Sequence, residues 1–151
     1  MAKHVNNGDC EKCDEIFDRY PGFHAALRSW FKTLQKKVTD AHISCAGRGY
    51  EEQEEAFQKG LSRAHYGQSA HNYNGAIDLF RLTLPGGASY DKPWFRDKVG
   101  SAVFRNNADP EAKVELNWYG KPGASFYELP HVEVQTWKTE CQTLVEPKKT
   151  E

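Results

Sequence analysis

The stretch Gln68-Ser69-Ala70-His71-Asn72-Tyr73-Asn74-Gly75-Ala76-Ile77-Asp78-Leu79-Phe80-Arg81-Leu82 passes from polar to apolar within a few residues. Its first half closes a polar, glycine-containing loop over 61–75. Its second half reads as a strand over 76–82, followed by the turn Pro85-Gly86-Gly87. Two residues able to ligate a metal bracket the transition. His71 ends the loop and Asp78 lies inside the strand, so the turn over 72–75 can fold the first back over the second.

A second strand, His131-Val132-Glu133-Val134-Gln135, offers a third ligand. Its period of two sends Val132 and Val134 to the core and leaves His131, Glu133 and Gln135 on the other face. Zinc takes nitrogen and oxygen ligands in tetrahedral geometry, and a catalytic zinc keeps three protein ligands and an open position for water. His71, Asp78 and His131 meet that need. Glu128 lies just before His131 across Leu129-Pro130, and the fixed φ of Pro130 holds its carboxylate near the metal, where a general base belongs. In this reading zinc polarises a scissile carbonyl and brings the pKa of its water toward ~7, while Glu128 moves the proton from water to the leaving amine. Arg48 is the candidate for stabilising the oxyanion. Ser69 either bonds to substrate or caps its loop.

Outward from these strands the pattern is mixed. Residues 11–20 suit a short helix stopped by Pro21-Gly22, and Phe23, Leu27, Trp30, Phe31, Leu34 and Val38 recur at helical spacing. A short buried strand over 42–46 is broken by Gly47-Arg48-Gly49, and a charged helix follows over 50–59 with Gly60 to cap it. Another helix opens at Asp91 or Lys92, with Pro93 in its first turn and Trp94, Phe95, Val99, Val103 and Phe104 on its apolar side. Val114 to Trp118 suits a strand and 119–124 a glycine-proline turn. Trp118 and Tyr119 fit either a substrate groove or the core. The chain thus reads as α+β in one domain: a polar lead-in over 1–9, a catalytic domain over 10–145, and a flexible tail over 146–151 rich in lysine, threonine and glutamate. The sheet is expected to be small and antiparallel, with helices on one face and the metal site on the other.

At 151 residues the chain can bury one core without disulfides. Its 20 basic and 21 acidic side chains leave a charge of -1, which gives no broad electrostatic case for nucleic acid or an anionic membrane. No apolar run suits a membrane span or a secretory signal, so synthesis in a cytoplasm is expected, with no membrane insertion. Nothing marks a dimer surface, and a monomer is expected. Cys10 and Cys13 form a CxxC with His4 nearby. A structural zinc needs about four ligands and this stretch supplies two, so Cys10, Cys13 and Cys141 read as reduced thiols, with a local redox pair at the CxxC as the alternative. Cys45 reads as a small buried residue. Arg63 and His65 read as solvated loop residues, and His4, His24 and His42 as non-catalytic.

Residues 68–78 resemble the SxHxxGxAxD motif of the zinc D-Ala-D-Ala carboxypeptidase and L-alanyl-D-glutamate peptidase family, whose histidine and aspartate bind zinc. Glu128-Leu129-Pro130-His131 resembles its ExxH, with base and third ligand. Ala46-Gly47-Arg48 followed by Glu51-Glu52-Gln53 is similar to its upstream segment, where an arginine at a strand end contacts substrate. Three positions depart from the pattern. The motif's glycine falls at Asn74, a residue that tolerates the left-handed conformation. Pro130 stands where a tryptophan is frequent, and the aromatic usually beside Arg48 is missing. The resemblance implies a Hedgehog/DD-peptidase-like fold and zinc-dependent hydrolysis of bacterial peptidoglycan stem peptides. Ser125-Phe126-Tyr127-Glu128-Leu129-Pro130-His131 is most similar to the phage endolysins that cut L-alanyl-D-glutamate bonds, which implies a protein held in the host cytoplasm and acting on the cell wall after release. Two alternatives stay open: a D,D-carboxypeptidase or dipeptidase on D-Ala-D-Ala, and a non-catalytic, zinc-stabilised wall-binding protein.

Overall fold

A computed structural model describes residues 2–84, 86–123 and 127–147. Pro85 of the expected turn, Ala124, Ser125 and Phe126 of the segment before the last ligand, and residues 148–151 of the expected tail lie outside the described residues.

The apolar spacing after Pro21-Gly22 builds the longest helix. Helix α1 (Glu11–Phe17) precedes it, and α2 (Ala25–Lys37) starts where His24 Nδ1 accepts the amide of Leu27. Lys36 and Lys37 in its last turn suit the negative end of the helix dipole. Leu27, Phe31 and Leu34 turn inward, and Phe17 and Phe31 are almost wholly buried. Burying each such ring contributes roughly 1.5–3 kcal/mol.

Beneath α2 lies an antiparallel sheet. Strand β1 (Ala41–Cys45) pairs with β2 (Ala76–Thr83), which pairs with β5 (His131–Val134), which pairs with β4 (Leu116–Trp118); β3 (Gly87–Ser89) folds back on β2 as a hairpin. The order is β1-β2-β5-β4. Ile77, Leu79, Val132 and Val134 join the core with the helices, while Asp78 and His131 are Cα partners on the opposite face. The expected α+β layout, with helices on one face of a small antiparallel sheet, is therefore present. Between Ile43 and Cys45 a bulge shifts the register, and Cys45 comes to stand opposite Asp78.

Helix α3 (Tyr50–Gln58) follows β1 after the Gly47-Arg48-Gly49 break, and Gly60 takes a φ of 72° just past its end. The helix that opens after Asp91 is continuous but not uniform: α4 (Lys92–Trp94), a wide π segment (Phe95–Gly100) and α5 (Ser101–Ala108). A Cβ on Gly100 would lie 2.5 Å from the Trp118 ring, so this helix packs directly on β4. Phe104, expected on the apolar side, is 75% exposed. Val99, Ala102 and Val103 already fill the buried stripe, and Phe104 lies about 100° further round the helix from Val103. A short α6 (Trp137–Glu140), which the sequence did not signal, ends the regular structure. No described helix is long and apolar enough to cross a membrane.

Both ends of the described chain are tied down. Asn6 Nδ2 donates to the Leu82 carbonyl at 3.2 Å, and His4 packs edge-on against Phe80. At the other end, Val145 N donates to Asn72 O at 2.8 Å, Glu146 Oε1 accepts from Tyr50 N at 2.7 Å, and Glu146 N donates to the Tyr66 hydroxyl. Residue 146, where the tail was expected to begin, thus caps the start of α3.

Candidate metal centre

The polar loop before β2 shapes the site. Ser69 caps a short 3-10 turn (Ala70–Tyr73), its Oγ accepting the amide of His71 at 3.3 Å. Asn72 is fully buried beneath that turn: its Oδ1 accepts from Gly67 N and Ser69 N, and its Nδ2 donates to Arg48 O and Gln53 Oε1. Asn74 follows with φ 58° and ψ 31°, the left-handed conformation that reverses the chain into β2, and its Nδ2 donates to Pro21 O at 3.0 Å. The turn therefore survives asparagine at the motif's glycine position.

These constraints, with the β2–β5 register, bring His71, Asp78 and His131 together. His71 Nδ1 lies 2.7 Å from the Ala46 carbonyl, which accepts its proton, so Nε2 is the nitrogen turned to Asp78 Oδ1, at 3.3 Å. The ring of His131 is arranged in the mirror sense. Its Nε2 lies 2.7 Å from Glu133 Oε1 and its Nδ1 faces the same Asp78 Oδ1 at 3.3 Å. The two rings stand 5.0 Å apart at 75°. Zinc–nitrogen and zinc–oxygen bonds of ~2.0–2.2 Å at tetrahedral angles put ligand atoms about 3.4 Å apart. The two histidine-to-aspartate spacings of 3.3 Å fit that edge length. Each imidazole donates its other nitrogen to an oxygen acceptor, the arrangement that fixes tautomer and ring plane in metal sites.

Glu128, Asp78 and His131 also bring ligand atoms within 4.8 Å of one another, as do Cys45, His71 and Asp78. Cys45 Sγ is 3.8 Å from His71 Nδ1, the nitrogen already committed to Ala46 O, and within 4.8 Å of the Asp78 carboxylate that it faces across the β1–β2 pair. Arg48 Nη2 pairs with Asp78 Oδ2 at 3.3 Å, and its Nη1 donates to Gln53 Oε1. Arg48 therefore holds the aspartate oxygen that the histidines do not use.

The electrostatics follow from this crowding. Burial by itself would raise Asp78, but the two imidazoles hold its carboxyl well below the usual range. Burial would lower both imidazoles, yet Asp78, with Cys45 at His71 and Glu133 at His131, raises them, His131 to about 9. The pocket is built to hold positive charge between the rings. Burial, and secondarily the Asp78 charge, lifts Glu128 above the ordinary carboxyl range despite the opposing pull of His131. Such a shift suits a group that must accept and release a proton near neutral pH.

These groups open into a cleft of about 600 Å³ whose walls include Arg48, Arg63, Ser69, Tyr119, Tyr127, Glu128, Trp137 and Lys138. Of the residues singled out in the sequence, Trp118 is buried in the core and Tyr119 lines the cleft. His65 pairs instead with Glu54 at 3.0 Å. Sequence reasoning missed Glu133, whose Oε2 accepts from Tyr119 Oη at 2.9 Å and Trp137 Nε1 at 3.0 Å while Oε1 holds His131. The strand alternation had placed Glu133 on the cleft face, the one signal available for it. Asn72 gave none, while Gln53 was marked only by the resemblance of its block.

Fold and site together define a small α+β domain whose antiparallel sheet carries a histidine–aspartate–histidine set and a raised carboxyl on its open face. The fold is similar to that in the crystal structure of the Serratia marcescens L-Ala D-Glu endopeptidase ChiX, with a TM-score of 0.66 and 19% identity over 85% of this chain and 89% of that one. No family model and no curated protein matches the chain.

Proposed function

We propose that this chain is a zinc-dependent peptidase that cuts a peptide bond in bacterial peptidoglycan stem peptides, the L-alanyl-D-glutamate bond, in the manner of a phage endolysin. The observation that carries the reading is the convergence of His71 Nε2 and His131 Nδ1 on Asp78 Oδ1, with Glu128 beside them. The likeness in fold to an L-Ala D-Glu endopeptidase and the three motif blocks support the choice of substrate.

His71, Asp78 and His131 would hold the zinc, which when bound supplies Lewis acidity to a carbonyl and to water. Glu128 takes the proton of the attacking water on its carboxylate and returns it to the leaving nitrogen. Arg48, anchored by Asp78 and Gln53, orients that aspartate and presents positive charge to the cleft where the oxyanion forms. Arg63 and Lys138 on the cleft wall suit the carboxylates of a stem peptide, and Ser69 Oγ, already capping its turn, adds a polar edge.

Purified peptidoglycan digested with the zinc-loaded protein and with Glu128→Ala, read by mass spectrometry, tests this. New L-Ala and D-Glu ends from the wild type alone are expected. Release of terminal D-Ala would move the substrate to D-Ala-D-Ala, and no cleavage by either zinc-loaded protein would turn the reading to a wall-binding protein.

A further inference from the structure

Away from the cleft, His4, Cys10, Cys13 and His42 place four ligand atoms within 4.8 Å of one another. Cys10, Cys13 and His42 are fully buried and both cysteines are free thiols. We infer that these four residues form a second, structural zinc site that fastens the N-terminal segment to β1.

Three observations carry it. The first is spacing: His4 Nδ1 lies 3.4 Å from Cys10 Sγ and 3.6 Å from Cys13 Sγ, and His42 Nδ1 lies 3.5 Å from Cys13 Sγ. Zinc–sulfur bonds of ~2.3 Å and zinc–nitrogen bonds of ~2.0–2.1 Å give a tetrahedral edge of about 3.5 Å. Hydrogen bonding alone does not explain the set, because one ring nitrogen has a single proton or a single lone pair, and His4 Nδ1 faces both sulfurs. The second is orientation. His42 Nε2 is 2.7 Å from Asn6 Oδ1, an oxygen that accepts its proton and leaves the Nδ1 lone pair toward the sulfurs. The Cys13 amide donates to Cys10 Sγ at 3.2 Å, and Gln35 Nε2 to Cys13 Sγ at 3.5 Å, so both sulfurs already receive the N–H contacts that steady a thiolate. The third is donor type. Two sulfurs and two imidazoles in a tetrahedron select zinc, and four protein ligands leave no open position for substrate, which makes the site structural.

The full-length protein, purified under reducing conditions, is tested by metal analysis and by cobalt substitution. The expected result is that His71→Ala/His131→Ala keeps one ion per chain and Cys10→Ser/Cys13→Ser loses one relative to wild type. Cobalt-loaded wild type, Cys45→Ala and His71→Ala/His131→Ala should all show a thiolate-to-cobalt charge-transfer band, and Cys10→Ser/Cys13→Ser should lose it. If the double cysteine variant fails to fold, the His71→Ala/His131→Ala protein still decides: it should hold one ion, with two thiols shielded from a thiol reagent until chelator is added. No ion and no band in that protein, or a Cys10–Cys13 disulfide in the denatured wild type, overturns the inference. Failure of the cleft site alone would leave one ion and the band in wild type.

Discussion

His131 and His71 present different nitrogens to the same aspartate oxygen, and each choice is made by an acceptor behind the ring. For His71 that acceptor is a backbone carbonyl, which mutation of a side chain cannot remove. For His131 it is Glu133, so the site has one replaceable support. Glu133→Gln is expected to weaken metal binding by about 10–100-fold in competitive chelator titration, by loosening the His131 ring. Glu128→Ala is expected to keep the metal and lower kcat by about 10²–10⁴-fold in muropeptide hydrolysis. Without metal the same cluster sets a pH dependence. His131 rises from 6.5 to about 9 and His71 rises as well, so their contribution to stability is full below pH 6.5 and fades as pH climbs through the folded values. Chelator-treated protein should therefore melt at steadily lower temperature from pH 6.5 to 9, while zinc-loaded protein, whose ligands carry metal in place of protons, should not. A flat melting profile in the chelated protein would contradict that assignment of charge. That His71, Asp78, His131 and Glu128 would lie together was legible in the sequence, because candidate ligands are particular donor types at spacings that strands and turns can close. Glu133 acts through His131, and a carboxylate two residues along a strand looks like any other until its partner is seen.

At the scale of elements, the short turn between Ser69 and Ala76 does most to place His71 against Asp78. Asn74 holds its one left-handed residue and also ties the turn to Pro21. Alanine at 74 lacks the polar side chain that eases the left-handed conformation, a loss of up to about 1 kcal/mol, and removes the hydrogen bond to Pro21, worth about 1 kcal/mol more. Asn74→Ala should lower stability by about 2 kcal/mol in denaturant unfolding, and Asn74→Gly by less. Strand β2 and helix α2 were readable because their apolar patterns are long, and β5 because Val132 and Val134 alternate with polar residues. The 3-10 turn, β3 and α6 were not, since each is three or four residues with no apolar period of its own, and the turn is held from afar by bonds such as Val145 N to Asn72 O. Phe104 was misplaced because a helical stripe read from sequence has no way to show that Ala102 and Val103 already fill the space against the sheet.

Across the whole molecule, the two ends of the described chain meet the strand-and-loop framework from different sides. Glu146 reaches back to the first amide of α3, and Val145 to Asn72, so the last described residues brace the segment that carries Arg48 and Gln53. Glu146→Ala is expected to cost about 1 kcal/mol, the usual loss when a helix start loses its cap, seen as a lower Tm. The composition of 146–151 gave no sign of this, because one cap is a single contact within a polar stretch. The bulge in β1 also has a bearing on crowded solutions. β1 is an outer strand, the place where a sheet can offer a straight row of amides and carbonyls to an extended chain, and part of that edge is already covered, with Gln35 Nε2 on the Ala41 carbonyl and α1 packed alongside. A five-residue strand that bends between Ile43 and Cys45 cannot offer that row in register. The same irregularity that sets Cys45 opposite Asp78 thus discourages edge-to-edge stacking into fibrils, protecting the fold where the protein is concentrated.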